Sequence, residues 1–267
     1  MIDTTPSKSA KAQTTSQYEG TRKKQKADRP DFSDPCSLVT FIVVEDEEVE
    51  YDADEDVQNE NNETGVESFN EKNREHRKIE TKFIVHKEIA CHYSPVWNAA
   101  FNSSFIEGQT QIYRLEDTTA RAFKLLVQGL YYQELLLHQL EDTADDEERD
   151  TELTQSEDMS LAELWVLADK LSIPHIQDLA LGSIHQISHK ISMLCLAPLG
   201  YIYDNTTSGS KLRAYCIENL ARYLKPEELE TFHDLLPREL LLDLVKYNLI
   251  HSKRDGELEV SDYMDSA

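Results

Sequence analysis

The sequence predicts an α+β domain followed by an all-helical extension. Three observations predict it. Leu38–Val44 is a continuous run of apolar, mostly β-branched residues, the pattern of a strand buried on both faces. Ile79, Thr81, Phe83 and Val85 alternate with polar positions, the period of a second strand. Beyond residue 160 the apolar residues recur only at helical spacing, and Pro174, Pro198, Pro226 and Pro237 stand where helices would begin. Strands early and helices late give α+β architecture rather than alternating βα units.

The chain has 267 residues, enough for a sizeable core. Residues 1–34 are poor in large apolar groups and read as a disordered basic tail; Arg22–Lys26 within it is either a nuclear import signal or a solvated cluster. After the first strand, residues 45–78 hold fourteen Asp/Glu against four Lys/Arg, and residues 141–158 hold ten against one. These two stretches supply −10 and −9 of the net −24, so the rest of the chain stands near −5. Both are expected to be acidic, structureless insertions, because like charges repel and nothing there can be buried. The acidity argues against nucleic acid as a ligand. No apolar run reaches the length of a membrane span, and a cytoplasmic or nuclear location, or both, is expected.

Within the body, the return strand 79–85 leads into a helix from about residue 87. That helix ends near Tyr93, where Ser94 can cap and Pro95 begin a second helix over 95–102. Gln111–Leu115 reads as a short strand. Asp117 is placed to cap the next helix, whose stripe is Phe123, Leu126, Val127, Leu130 and Tyr131, with Leu135–Leu137 continuing it. Ser160-Leu-Ala-Glu163 has the spacing of a capping box for a helix carrying Leu161, Leu164, Trp165 and Ala168. Helices follow from Pro174 and over 198–205, 210–223, 226–234 and 237–249. The folded body is thus read as 35–190, the helical extension as 191–250, and 251–267 as an acidic tail.

Candidate chemistry is sparse. Cys36, Cys91, Cys195 and Cys216 have no Cys-x-x-Cys spacing and read as reduced, mostly buried thiols. No metal or cofactor is expected. No Gly-x-Ser-x-Gly elbow surrounds Ser94, and no Gly-rich phosphate loop is present. His86 reads as a buried, hydrogen-bonded residue at the strand–helix junction. Trp97 and Trp165 sit at core spacing. An enzyme is not expected.

The ordered set Leu38–Val44, Phe83-Ile-Val-His-Lys87, Ser94-Pro-Val-Trp97, Phe105-Ile-Glu107, Leu115-Glu-Asp117, Phe123 and Leu130-Tyr131 resembles the BTB/POZ domain, with its "F-x-V-H-K", "S-P", "F-x-E" and "L-x-D" steps. Leu164–Leu171 with Ile173-Pro174 is similar to the helix pair that closes that domain. Tyr201–Thr206 and Ser210–Arg213 resemble the tail of filamentous-fungal BTB proteins. The resemblance implies a small mixed sheet flanked by helices. It implies a protein–protein interaction module, with self-association or a cullin scaffold among its partners, and the work of a substrate adaptor for a cullin-RING ubiquitin ligase. By the same resemblance Phe105, Ile106 and Glu107 are the partner-binding residues. Phe105 is either that apolar anchor, with Glu107 giving orientation, or a core residue beside a solvated carboxylate. Residues 1–34 lack the apolar periodicity that long-form BTB dimers add at this end. The alternative function is an acidic binding protein, or transcription-related scaffold, holding basic partners through the two insertions.

Overall fold

The structure, a computed structural model, describes residues 30, 36–50, 74–141, 151–192 and 194–251. Among these residues the sheet has three strands: β1 (Leu38–Glu50), β2 (Arg74–His86) and β3 (Ile112–Leu115). β1 lies in the centre, antiparallel to β2 and parallel to β3. The mixed sheet with flanking helices and a helical C-terminal part is the predicted α+β architecture.

β1 and β2 are each 13 residues long and stay paired out to Glu50 and Arg74. This corrects the first insertion, expected over 45–78. The register sets Asp46 opposite Lys78 and Glu47 opposite Arg77. Opposite charges across a ladder stabilise it, so an acidic run can still form strand. The expected insertion therefore keeps only residues 51–73 beyond the ladder, and these lie outside the described residues. So does the expected basic tail, apart from residue 30.

One face of the sheet holds the core. Val39, Phe41 and Val43 are buried opposite Val85, Phe83 and Thr81. The helices α1 (Lys87–Tyr93), α2 (Pro95–Phe101) and α4 (Ala120–Tyr132) cover it. The ring of Phe41 lies 4.5 Å from Trp97, 5.1 Å from Phe123 and 5.6 Å from Phe101. Such pairs add about 0.5–1.5 kcal/mol each beyond the area they bury. On the opposite face Ile42 and Val44 are also buried, and an ion pair between Arg114 of β3 and Glu80 of β2, at 2.6 Å, spans the central strand there. That hydrogen bond and charge hold the exposed Glu80 carboxyl below its usual range. Leu38, expected to be buried, is exposed at the strand's beginning.

The helical layer is α5 (Thr151–Lys170), α6 (Pro174–Ile191), α7 (Leu199–Asn205), α8 (Lys211–Tyr223), α9 (Pro226–Phe232) and α10 (Arg238–His251). One apolar core runs on from the sheet through Leu164, Ile176, Leu199 and Leu212 to Leu244. α5 begins at Thr151, so the second insertion, expected over 141–158, gives eight of its residues to helix, and 142–150 lie outside the described residues. The expected capping box is corrected with it. Ser160 is mid-helix and bonds back to the Ser156 carbonyl at 2.6 Å, because no orphan N–H groups are left there to cap. Glu163 instead accepts a hydrogen bond from Thr119. Thr119 is the N-cap of α4, accepting from the Ala122 N–H, while Asp117 pairs with Lys170. α4 stops at Tyr132, since Gln133 turns left-handed (φ 60°) and caps the Gly129 and Leu130 carbonyls with its side chain, so Leu135–Leu137 do not continue it.

Arg213 ties the C-terminal helices together. It is buried, stacks on the Tyr203 ring at 4.2 Å, donates to the Tyr203 and Thr206 carbonyls at the end of α7, and reaches Glu239 of α10 at 3.2 Å.

Candidate partner-binding surface

Phe105, Ile106 and Glu107 lie together at the start of α3 (Ile106–Thr110), a five-residue helix between α2 and β3. Phe105 is 71 % exposed and Ile106 64 % exposed. Of the two readings the sequence left open for Phe105, the core position is excluded. Two large adjacent apolar side chains in water offer a partner apolar area to bury. Glu107 is half-buried in the first turn of α3, and its carboxylate makes no hydrogen bond or ion pair among the described residues. Its charge reaches the half-buried Tyr113, whose phenol is pushed up by burial first and then by the charges of Glu107 and Asp117.

The segment carrying these residues is held firmly by backbone contacts. The Phe105 N–H donates to Ser103 Oγ at 3.1 Å, and that hydroxyl donates to the Ala100 carbonyl at 2.8 Å. Gln109 Nε2 donates to the Ser104 carbonyl at 2.7 Å. Gln111 ends α3 in the left-handed conformation (φ 56°), and its side chain donates to the carbonyls of Phe101 and Gly108 at 3.1 and 2.6 Å. Lys87 Nζ donates to the same Phe101 carbonyl at 3.2 Å, so the C-terminus of α2 has its orphan acceptors satisfied just before Phe105. At Gly108 a Cβ would run into the backbone carbonyl of Ser103. Glycine is what allows α3 to fold back this tightly. The sequence pointed to neither Gly108 nor the role of Lys87, and it placed Gln111 at the start of the strand, which begins instead at Ile112. A lone Gly inside a short polar run carries no signal of close approach, and the lysine was visible only as part of the "V-H-K" step.

The other singled-out residues take structural places. His86 is half-buried rather than buried. Its backbone N–H donates to Tyr131 Oη at 3.1 Å, and Tyr131 Oη lies 2.7 Å from its Nδ1. The tyrosine hydroxyl thus locks β2 to the last turn of α4. Ser94 is buried, caps α2 by accepting from Trp97, and donates to the Leu171 carbonyl. Trp97 and Trp165 are core residues. Of the four cysteines only Cys216 is buried; Cys91 and Cys195 are half-buried and Cys36 is exposed. Burial raises the thiols of Cys195 and Cys216 to about 12, so both stay protonated at neutral pH. Among the described residues no group of three or more His, Cys, Asp or Glu could hold a metal ion, and no helix is long and apolar enough to cross a membrane.

Residues 76–188 match the family model of the BTB/POZ domain, a non-catalytic protein–protein interaction module. The match begins within β2 and leaves out β1, the central strand, which is separated from β2 in sequence by the acidic stretch. No curated protein matches the chain.

Proposed function

We propose that the BTB/POZ domain of this chain binds a cullin scaffold through Phe105, Ile106 and Glu107 and so works as a substrate adaptor for a cullin-RING ubiquitin ligase. The observation that carries the proposal is the exposure of Phe105 and Ile106 on a backbone held in place by Ser103, Gly108 and Gln111. A rigid apolar anchor loses little entropy on binding, and a single uncompensated carboxylate beside it fixes orientation. The resemblance of Phe105-Ile-Glu107 to the cullin-contacting triplet of other BTB proteins supplies the partner class. The likeness of Tyr201–Thr206 and Ser210–Arg213 to filamentous-fungal BTB proteins supports placing the chain with that type, in the cytoplasm, the nucleus or both. In this reading α5–α10, or a protein bound to them, presents the substrate.

A pull-down with a cullin N-terminal region tests this. The unaltered chain is expected to retain the cullin, and the Phe105→Ala, Glu107→Lys double variant to lose it. Equal retention by both, or none by the unaltered chain, rejects the assignment.

A further inference from the structure

A second cluster, far in sequence from α3, has the chemistry of a cation site. His185 and His189 lie one turn apart on α6, exposed, with ring centroids 6.4 Å apart. They line a pocket of about 190 Å³ with Ser188, Ser192, Asn219 and Tyr223, between the C-terminal end of α6 and α8. The hydrogen bonds around Tyr215 decide which nitrogen of His185 is available. Ser188 Oγ donates to the His185 carbonyl at 3.0 Å, so its oxygen is an acceptor for Tyr215 Oη at 2.9 Å. Tyr215 has one proton and gives it to Ser188. Its oxygen then accepts, from Asn219 Nδ2 at 3.4 Å and from His185 Nδ1 at 3.2 Å. The chain of donors closes only if His185 carries its proton on Nδ1, which leaves the Nε2 lone pair unprotonated.

That is the arrangement of a metal-ligating histidine, whose second nitrogen is held by a hydrogen-bonded partner that fixes tautomer and ring orientation. The remaining polar atoms agree. Asn219 Oδ1 is buried without a hydrogen-bond partner among the described residues, an acceptor that a cation or its bound water would satisfy. The site also sits at the carbonyl end of an 18-residue helix, where the macrodipole favours positive charge. The two imidazoles suit Zn²⁺ and its first-row neighbours rather than Ca²⁺ or Mg²⁺, which take oxygen ligands.

We propose that His185 Nε2 and His189 form a two-histidine site for a divalent transition-metal ion such as Zn²⁺, with Tyr215 as the positioning residue and the remaining coordination completed by water or the Asn219 side chain. Binding requires the exposed His189 ring to turn towards His185. An ion held also by Asn219 would join α6 to α8.

Titration of the full chain with Zn²⁺ by calorimetry, on the unaltered protein and on His185→Ala, His189→Ala and Tyr215→Phe, tests the site. Each histidine variant is expected to weaken one Zn²⁺ site by roughly tenfold or more, and Tyr215→Phe by about tenfold, as loss of an orienting partner does. A control variant, His233→Ala, should leave that site unchanged. In the unaltered protein Zn²⁺ should also shield His185 and His189 from diethyl pyrocarbonate, read by mass spectrometry, so the result does not depend on how the variants fold. Undiminished binding in both histidine variants, or no shielding at saturating Zn²⁺, overturns the proposal.

Discussion

Ser94 Oγ donates a hydrogen bond to the Leu171 carbonyl across 77 residues of sequence, at 2.9 Å, while accepting one from the Trp97 N–H at 3.2 Å. One buried hydroxyl thus starts α2 and closes the end of α5 against it. Ser94→Ala removes a helix cap and strands a buried carbonyl. The expected loss is about 2–4 kcal/mol, the two effects together. Urea denaturation followed by circular dichroism measures it; a loss within error of zero would mean that Leu171 finds another donor.

Gly108→Ala is expected to disturb α3 itself. The added methyl meets backbone rather than a flexible side chain, so α3 must shift. A destabilisation of about 1–3 kcal/mol is expected, in the range of overpacked sites. Partner binding should fall with it although Gly108 touches no partner, and Gly108→Ala in a Phe105→Ala background should cost less binding than it does alone.

Arg213→Lys keeps the charge and loses the fork. A lysine cannot donate at once to the Tyr203 and Thr206 carbonyls and to Glu239, nor stack as a plane on Tyr203. The α7–α8–α10 unit should lose about 2–4 kcal/mol, the cost of leaving buried acceptors unpaired. Hydrogen exchange should show faster amide exchange in α7 and α10 while β1 keeps its protection.

The imidazole of His175 packs against Tyr93, with ring centroids 4.7 Å apart, and its Nε2 is buried without a hydrogen-bond partner among the described residues. Burial lowers its pKa against an opposing pull from Asp178, with His92 adding to the lowering. A lowered value means that the folded state favours neutral imidazole. The contribution to stability is present above the ordinary imidazole range and is lost as the pH falls through the lowered value. The chain should therefore lose stability as the pH falls below the ordinary imidazole range, and His175→Gln should flatten that part of the profile. Thermal denaturation at half-unit pH steps measures it; an unchanged slope in the variant would assign the acid sensitivity elsewhere.

Much of this fold could be read from local chemistry. The apolar run of β1, the alternation of β2 and the proline-marked starts of α2, α6 and α9 each depend on neighbours in sequence, and each lies where the pattern placed it. What was not legible depends on distant partners. Asp46 and Glu47 read as loop because their partners Lys78 and Arg77 are thirty residues away, and only the register reveals the match. Ser160-Leu-Ala-Glu163 has the composition of a helix start but lies in the middle of α5, since the pattern cannot tell whether a preceding turn already exists. In the candidate surface, residue type pointed to Phe105, Ile106 and Glu107, yet exposure could not be read from a helix of five residues, too short to show an apolar face. The His185–Tyr215–Ser188 chain was invisible for the same reason as the Ser94–Leu171 bond: its two halves lie on different helices.

The proposed contact of Phe105, Ile106 and Glu107 with a cullin can be measured directly. The most direct measurement is the affinity of the full chain for a cullin N-terminal region, by calorimetry, for the unaltered protein and the Phe105→Ala, Glu107→Lys variant. Phe105 is exposed and Glu107 has no partner among the described residues, so the variant should unfold at the same urea concentration as the parent. The account predicts a Kd raised by roughly a hundredfold, from loss of an anchor worth at least 2 kcal/mol and reversal of a neighbouring charge. Equal affinity in a variant of unchanged stability would contradict it.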